Sequence, residues 1–238
     1  MNDYRYPRGG YGAGELGVRP AAALSVSFLT QAFVWMFLGL LLSAYIAFLV
    51  ENNTYLAQNV LNLWLPVIIA EMGIGIGLQV AIRKINALMA LGLFFIYDAL
   101  NGLTFGVIVL AVNSAATVVE AFVTAAAMFG GAALYGAVTR RSLANMFGYL
   151  AMATWGLFVA ILVNMFVGNG TLDMLISIVG VIIFTALTAS TVQRISRGQF
   201  AAMTGSMEKA SVIGALLLYL EFVNIFLFLL RLYGGGRR

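Results

Sequence analysis

Seven long apolar runs, joined by short polar connections, constrain this chain more than any other feature of its sequence. They fall at 25–50, 60–82, 87–112, 117–139, 143–167, 172–193 and 210–232, and a hydrocarbon layer needs about 20 helical residues to be crossed. Inside lipid each backbone N–H and C=O must find its partner within the segment, so runs of this length fold as helices. The predicted fold class is an all-α integral membrane protein, a bundle of seven transmembrane helices. Composition agrees with it. Hydrophobic residues make up 62% of the chain and charged ones 9%, against about 45–50% and about 25% in a soluble domain. The connections "RKIN", "NSAAT", "RRS" and "GNGT" are brief, and "ENNTYLAQN" and "RISRGQFAAMTGSMEK" leave no room for a second folded domain. Residues 1–24 are polar and rich in Gly, Tyr and Arg, with no clear cleavage site. They read as a flexible cytoplasmic N-terminal arm, which leaves 25–238 as one seven-helix domain.

Basic residues set the expected orientation, because Lys and Arg in short loops stay on the cytoplasmic side. With the amino terminus inside, Arg5, Arg8, Arg19, Arg83, Lys84, Arg140, Arg141, Arg194, Arg197 and Lys209 all lie inside, ten of the thirteen. Arg231, Arg237 and Arg238 follow the last run, which seven crossings place outside. Either the first six runs impose the orientation and the tail follows, or the last run re-enters; seven crossings are the reading adopted. The net charge of +4 forms no continuous basic face, so nucleic acid is not an expected partner. The lipid bilayer is.

Cysteine and histidine are both absent, which removes disulfides, the usual zinc sites and any Ser-His or Cys-His pair. The two lysines, Lys84 and Lys209, sit near membrane boundaries, where neither a retinal Schiff base nor a Ser-Lys protease could use them. The chain is therefore not expected to be an enzyme, and no cofactor is implied. Small residues recur at Gly73, Gly75 and Gly77, at Gly102 and Gly106, and from Ala121 to Ala137, a spacing that lets helices approach closely.

Acids inside the runs carry more information, since each costs about 2.5–3.5 kcal/mol at a helix centre and marks a pathway or a partner. Glu120 is near enough to the start of its run to reach the interface. Glu71 and Asp98 lie deeper, where a hydrogen-bonded packing role and a functional one are equally weighted. Glu221 has Ala210 to Leu220 before it and Phe222 to Leu230 after it, all uncharged. Burial disfavours a charged carboxylate, so such an acid can switch protonation unless a cation or an arginine offsets the burial. Asn224, three residues on, shares its helical face, where its amide can serve the acid or a cation's shell. Glu221 is thus a candidate gate or ion ligand; the competing reading is a protonated acid that ties two helices together.

Four stretches, "IYDALNGLTFG", "AFVTAAAMFGGAALYGAVTRRSLANM", "LISIVGVIIFTALTASTVQRI" and "LYLEFVNIFLFLLRLY", resemble in order and spacing the transmembrane Bax inhibitor motif family, in its bacterial Bax inhibitor-1-like branch. The resemblance covers about two thirds of the length. It implies a bacterial inner-membrane protein whose last helix is central and which acts as a pH-sensitive calcium leak channel or calcium-handling protein. It also embraces proteins that do not transport, but modulate membrane proteases or stress responses. Members carry a proton-sharing pair of aspartates on the sixth and seventh helices. Here the seventh-helix position is Glu221, and the sixth-helix position is Thr191. A threonine can donate a hydrogen bond to Glu221 but cannot share a titrating proton with it, and Ser190 has the same limit. Thr185, Thr188 and Thr191 form a hydroxyl stripe that either lines a polar path or bonds back to its own helix.

Three accounts of the missing acid follow. Asp98 or Glu71 has become the substitute partner, or Glu221 titrates alone, or gating by pH is lost. As a calcium ligand Glu221 is weak, because a hard cation prefers several oxygens and one glutamate with Asn224 and hydroxyls offers few. Such a site suits a leak better than storage.

Overall fold

A computed structural model describes residues 21–235 of the chain. All secondary structure among them is helical: α1 Ala21–Glu51, α2 Thr54–Asn62, α3 Trp64–Ala81, α4 Ala87–Val112, α5 Ala115–Val138, α6 Ala144–Val167, α7 Gly170–Ser196, α8 Gln199–Thr204 and α9 Met207–Gly235. Seven of these, all but α2 and α8, are long and apolar enough to cross a membrane, so the seven expected spans are present. Residues 1–20 of the expected arm, with Arg5, Arg8 and Arg19, lie outside the described residues, as do Arg237 and Arg238.

The short connections hold helix stops and starts together. Asn113 and Gly168 end α4 and α6 in the left-handed conformation, at φ 48° and φ 66°, where a small or amide side chain is tolerated. Ser114 and Asn169 then cap α5 and α7 by accepting from the first free N–H groups, donors with no partner inside the helix.

Two connections are more ordered than the sequence suggests. The stretch expected as a loop after the first span folds into α2, capped by Asn53, whose side chain accepts from Leu56 N at 3.1 Å. Ala57 and Val60, one turn apart, bury against Val50 and Val107, and that contact compensates for a helix of only nine residues. The second span consequently begins at Trp64 rather than at residue 60. In the last connection α8 is bounded by left-handed Gly198 and Gly205 and anchored by buried Phe200.

The last helix is central. α9 packs against α1, α4, α5, α7 and α8, and it is buried on nearly every turn from Ala210 to Leu230. α3 leans mainly on α4, and α6 on α7; Tyr149, Trp155 and Phe166 of α6 are exposed, as a lipid-facing helix requires. Between α1 and α4 the approach is close enough to need glycine. A Cβ on Gly102 would stand 2.8 Å from Ile46 Cβ and from Ser43 O, and one on Gly106 2.5 Å from Val50 Cβ. Gly73 and Gly77, in contrast, face nothing within 4 Å, so the glycine triplet of the second span is no packing face at those two positions.

α9 is one unbroken helix of 29 residues, about 43 Å long at 1.5 Å per residue. It is long and apolar enough to cross, and it does not turn back. Two contacts agree: Arg231 near its end pairs with Asp173 at the start of α7 at 3.2 Å, and Lys209 at its beginning donates to Arg83 O after α3 at 3.5 Å.

Candidate functional site

Glu221 lies on the face of α9 turned toward α7 and is 5% exposed. Thr191 Oγ1 donates to Glu221 Oε1 at 2.5 Å, while Oε2, also buried, accepts no hydrogen bond. The position that the family resemblance assigns to the sensor's other half therefore does touch Glu221, as a donor. One turn earlier Thr188 also faces the carboxyl, but its proton goes back to Phe184 O at 2.9 Å. Thr185 Oγ1 is buried without a partner. The hydroxyl stripe thus splits into three roles, one toward the acid, one into its own helix and one unsatisfied.

Asn224 does not join this site through its amide nitrogen, which donates to Leu220 O at 2.7 Å. A partner four residues back in its own helix is always within reach, and that competes with any contact across helices. Asp98 and Glu71 are elsewhere. Asp98 is fully buried on α4, its side chain against Gly39 of α1 and Phe94, and half-buried Glu71 accepts from Thr104 Oγ1. Neither hydrogen-bonds to Glu221. Ser190 points to the α5–α6 connection, 3.5 Å from Leu143 O. Glu120 is exposed.

Three contributors escaped the sequence reading. Arg194, counted there as a topology signal, follows Thr191 by three residues and so shares its face of α7. Its guanidinium stacks 4.0 Å over Phe147 of α6 and 4.7 Å from Phe200 of α8, its Nε donates to Gln199 Oε1 at 3.2 Å, and its charge reaches Glu221. The i, i+3 spacing from Thr191 was the available signal. Gln193, buried, donates to Arg141 O at 2.8 Å and Thr139 O at 3.3 Å and accepts from Leu143 N at 2.8 Å. It fastens the loop of Arg140 and Arg141 to the helix that carries Thr191. Tyr219 places its hydroxyl 2.7 Å from Ser43 Oγ of α1; a tyrosine in mid-span, two residues before the acid, was its only trace in the sequence.

Chemically this is a buried carboxyl with one oxygen held by a hydroxyl and one free, near a single fixed cation. It can accept a proton or contribute one or two oxygens to a passing cation. Among the described residues no three acidic, histidine or cysteine side chains are grouped to hold a metal ion, so Glu221 is not part of a multidentate carboxylate site.

Residues 25–238 match the family model described as "Inhibitor of apoptosis-promoting Bax1". The chain is 39% identical over 212 residues to an uncharacterized protein of Deinococcus radiodurans, covering 89% of this chain and 91% of that one. It is 36% identical over 226 residues to the inner membrane protein YbhL of Escherichia coli K12, covering 92% and 96%. A Borreliella burgdorferi protein is 36% identical over 215 residues, covering 88% and 92%.

Proposed function

Because the chain belongs to the Bax inhibitor-1-like family of membrane proteins, we propose that it is a cation leak channel of the bacterial inner membrane, permeable to calcium, with its amino terminus in the cytoplasm. It is not an enzyme on this reading. The observation that carries the proposal is the Glu221 carboxyl, buried between α7 and α9 with Thr191 on one oxygen and nothing on the other. Moving a bare cation through hydrocarbon costs tens of kcal/mol by the Born argument, and a carboxylate beside a threonine hydroxyl replaces part of its hydration. One acid binds a divalent ion too weakly to trap it, which favours transit. Thr191 closes the path by holding Glu221 against α7, and the two helices must separate for an ion to pass. Arg194 repels a cation arriving from the cytoplasmic end, so opening also moves Arg194 from its seat between Phe147 and Phe200. Proton exchange at Glu221 alone then regulates the leak, in place of a shared proton between two acids.

Calcium flux into liposomes holding the purified chain, measured from about pH 5 to about pH 8, tests this on the native protein, Glu221→Gln and Thr191→Asp. Expected is a pH-dependent native flux whose dependence is lost in Glu221→Gln and whose midpoint moves in Thr191→Asp, where a second acid couples to the first. If the native chain carries no flux and Thr191→Asp restores none, the channel reading fails, and a non-transporting modulator of membrane proteases or stress-response proteins takes its place.

A further inference from the structure

We propose that Asp98 is a second proton-binding site, distinct from Glu221, whose proton holds α4 against α1 and α9. Its carboxyl is fully buried, and neither oxygen has a hydrogen-bond partner. No cationic side chain pairs with it; the ion pair among the described residues is Arg231 with Asp173. A carboxylate left so would face the full desolvation cost of an unpaired charge.

The seat is cut from α1 by a missing side chain. A Cβ on Gly39 would collide with Asp98 Oδ2 and stand 2.9 Å from its Cγ and from Phe94 Cζ. Around it Tyr219 meets Phe94 and Tyr97 edge to face, at centroid distances of 6.1 Å and 5.9 Å. Two neighbouring hydroxyls, those of Ser43 and Tyr219, have committed their protons. Ser43 Oγ is within reach of the carbonyls of Asp98, at 2.7 Å, and Gly39, at 3.1 Å, and it has one proton to give. Tyr219, 2.7 Å from Ser43 Oγ, then donates to Ser43. Nothing remains for the carboxylate.

A proton is the ligand that fits. A calcium ion takes six to eight oxygens, and no grouping of three acidic side chains among the described residues supplies them. A proton needs no added ligand and no added volume. When it leaves, the charge faces the Gly39 backbone and the Phe94 ring without a donor, and the α1–α4 contact must open to water. The titratable groups near Asp98 are Tyr97 on its own helix and Tyr219 on α9, and Glu71 on α3 lies within electrostatic reach of both tyrosines. The other titratable side chains of α1, α2 and α5 described, Tyr45, Glu51, Tyr55, Glu120 and Tyr135, are exposed. Tyr219 and Glu221 are two residues apart, about 200° around the helix, so α9 faces one ionisable site on each side.

Infrared difference spectra of the full chain in lipid nanodiscs, recorded between about pH 5 and about pH 9, test the assignment. Two titrating carboxyl C=O bands are expected in the native protein, one from each buried acid; the Asp98 band should be lost in Asp98→Asn, retained in Glu221→Gln and Tyr219→Phe, and unmoved by calcium, while the Glu221 band remains in Asp98→Asn. Isotope-labelled aspartate in the native chain gives an independent reading that needs no variant to fold. The aspartates are Asp3, Asp98 and Asp173, and the labelled band should shift and should resist rapid deuteration. The proposal is overturned if no deuteration-resistant titrating band shifts on aspartate labelling, if that labelled band survives Asp98→Asn or disappears in Glu221→Gln, or if calcium displaces it.

Discussion

Thr191 and Glu221 form a pair in which only one member can ionise, and the energetics follow from that asymmetry. Thr191→Val removes the donor and leaves both carboxyl oxygens without a partner, at a cost of about 1–3 kcal/mol. Thermal unfolding in detergent should register the loss, and Thr191→Ser, which keeps the hydroxyl, should recover most of it. Arg194 contributes by stacking as well as by charge. Replacing it with Met should cost about 1–2 kcal/mol through two lost cation–π contacts. Arg194→Lys should recover only part, because an ammonium lacks the planar face that lies on Phe147 and Phe200. Calcium flux in the same two variants separates the roles. If the charge opposes cation entry, Arg194→Met should raise flux and Arg194→Lys should not.

At the scale of elements, helix pairs differ in what their small residues do. α1 and α4 touch through Gly102 and Gly106, so Gly106→Val should destabilise by about 1–3 kcal/mol through overpacking. Gly73→Ala and Gly77→Ala meet no neighbour within 4 Å and should be neutral or stabilising by up to about 1 kcal/mol, the difference in helix propensity. Denaturant titrations of the three variants decide whether spacing or surroundings governs. The Gln193 clasp is a second element-level device. Gln193→Leu frees three backbone groups of residues 139–143, and trypsin should then cut after Arg140 or Arg141 faster than in the native chain.

For the molecule as a whole, seven crossings put the start of α7 and the end of α9 on one side and the start of α9 on the other. The chain contains no cysteine, so single substitutions report sidedness cleanly. In sealed vesicles a membrane-impermeant maleimide should label Asp173→Cys and Arg231→Cys from one side, and Lys209→Cys from the other. Labelling of all three from the same side would show that the last helix does not cross. The absolute orientation, amino terminus inside, predicts that Lys209→Cys is the one labelled in inverted vesicles.

Lipid as solvent explains which of these features the sequence determined alone. Backbone groups in hydrocarbon must pair locally, so span number and approximate ends follow from runs of apolar residues, and Glu221 stands out as an acid with no short route to water. The match of Thr191 to Glu221 was legible too, through the resemblance of "LTASTVQRI" and "LYLEFVN" to the family. What surrounds each residue was not. α2 exists because Ala57 and Val60 find Val50 and Val107 across the fold, a contact between chain segments that periodicity over nine residues does not announce. Asn224 shares a face with Glu221, yet its amide nitrogen donates to its own helix. Asp98 and Arg194 drew one description from their positions, a deep acid and a boundary base. Only the packing of α1 on α4, and of α6 and α8 around α7, left the acid without a donor and laid the guanidinium between two rings. Hydropathy is summed along one segment, whereas hydrogen bonding and stacking depend on the particular atoms another segment brings within about 4 Å, and those the tertiary structure decides.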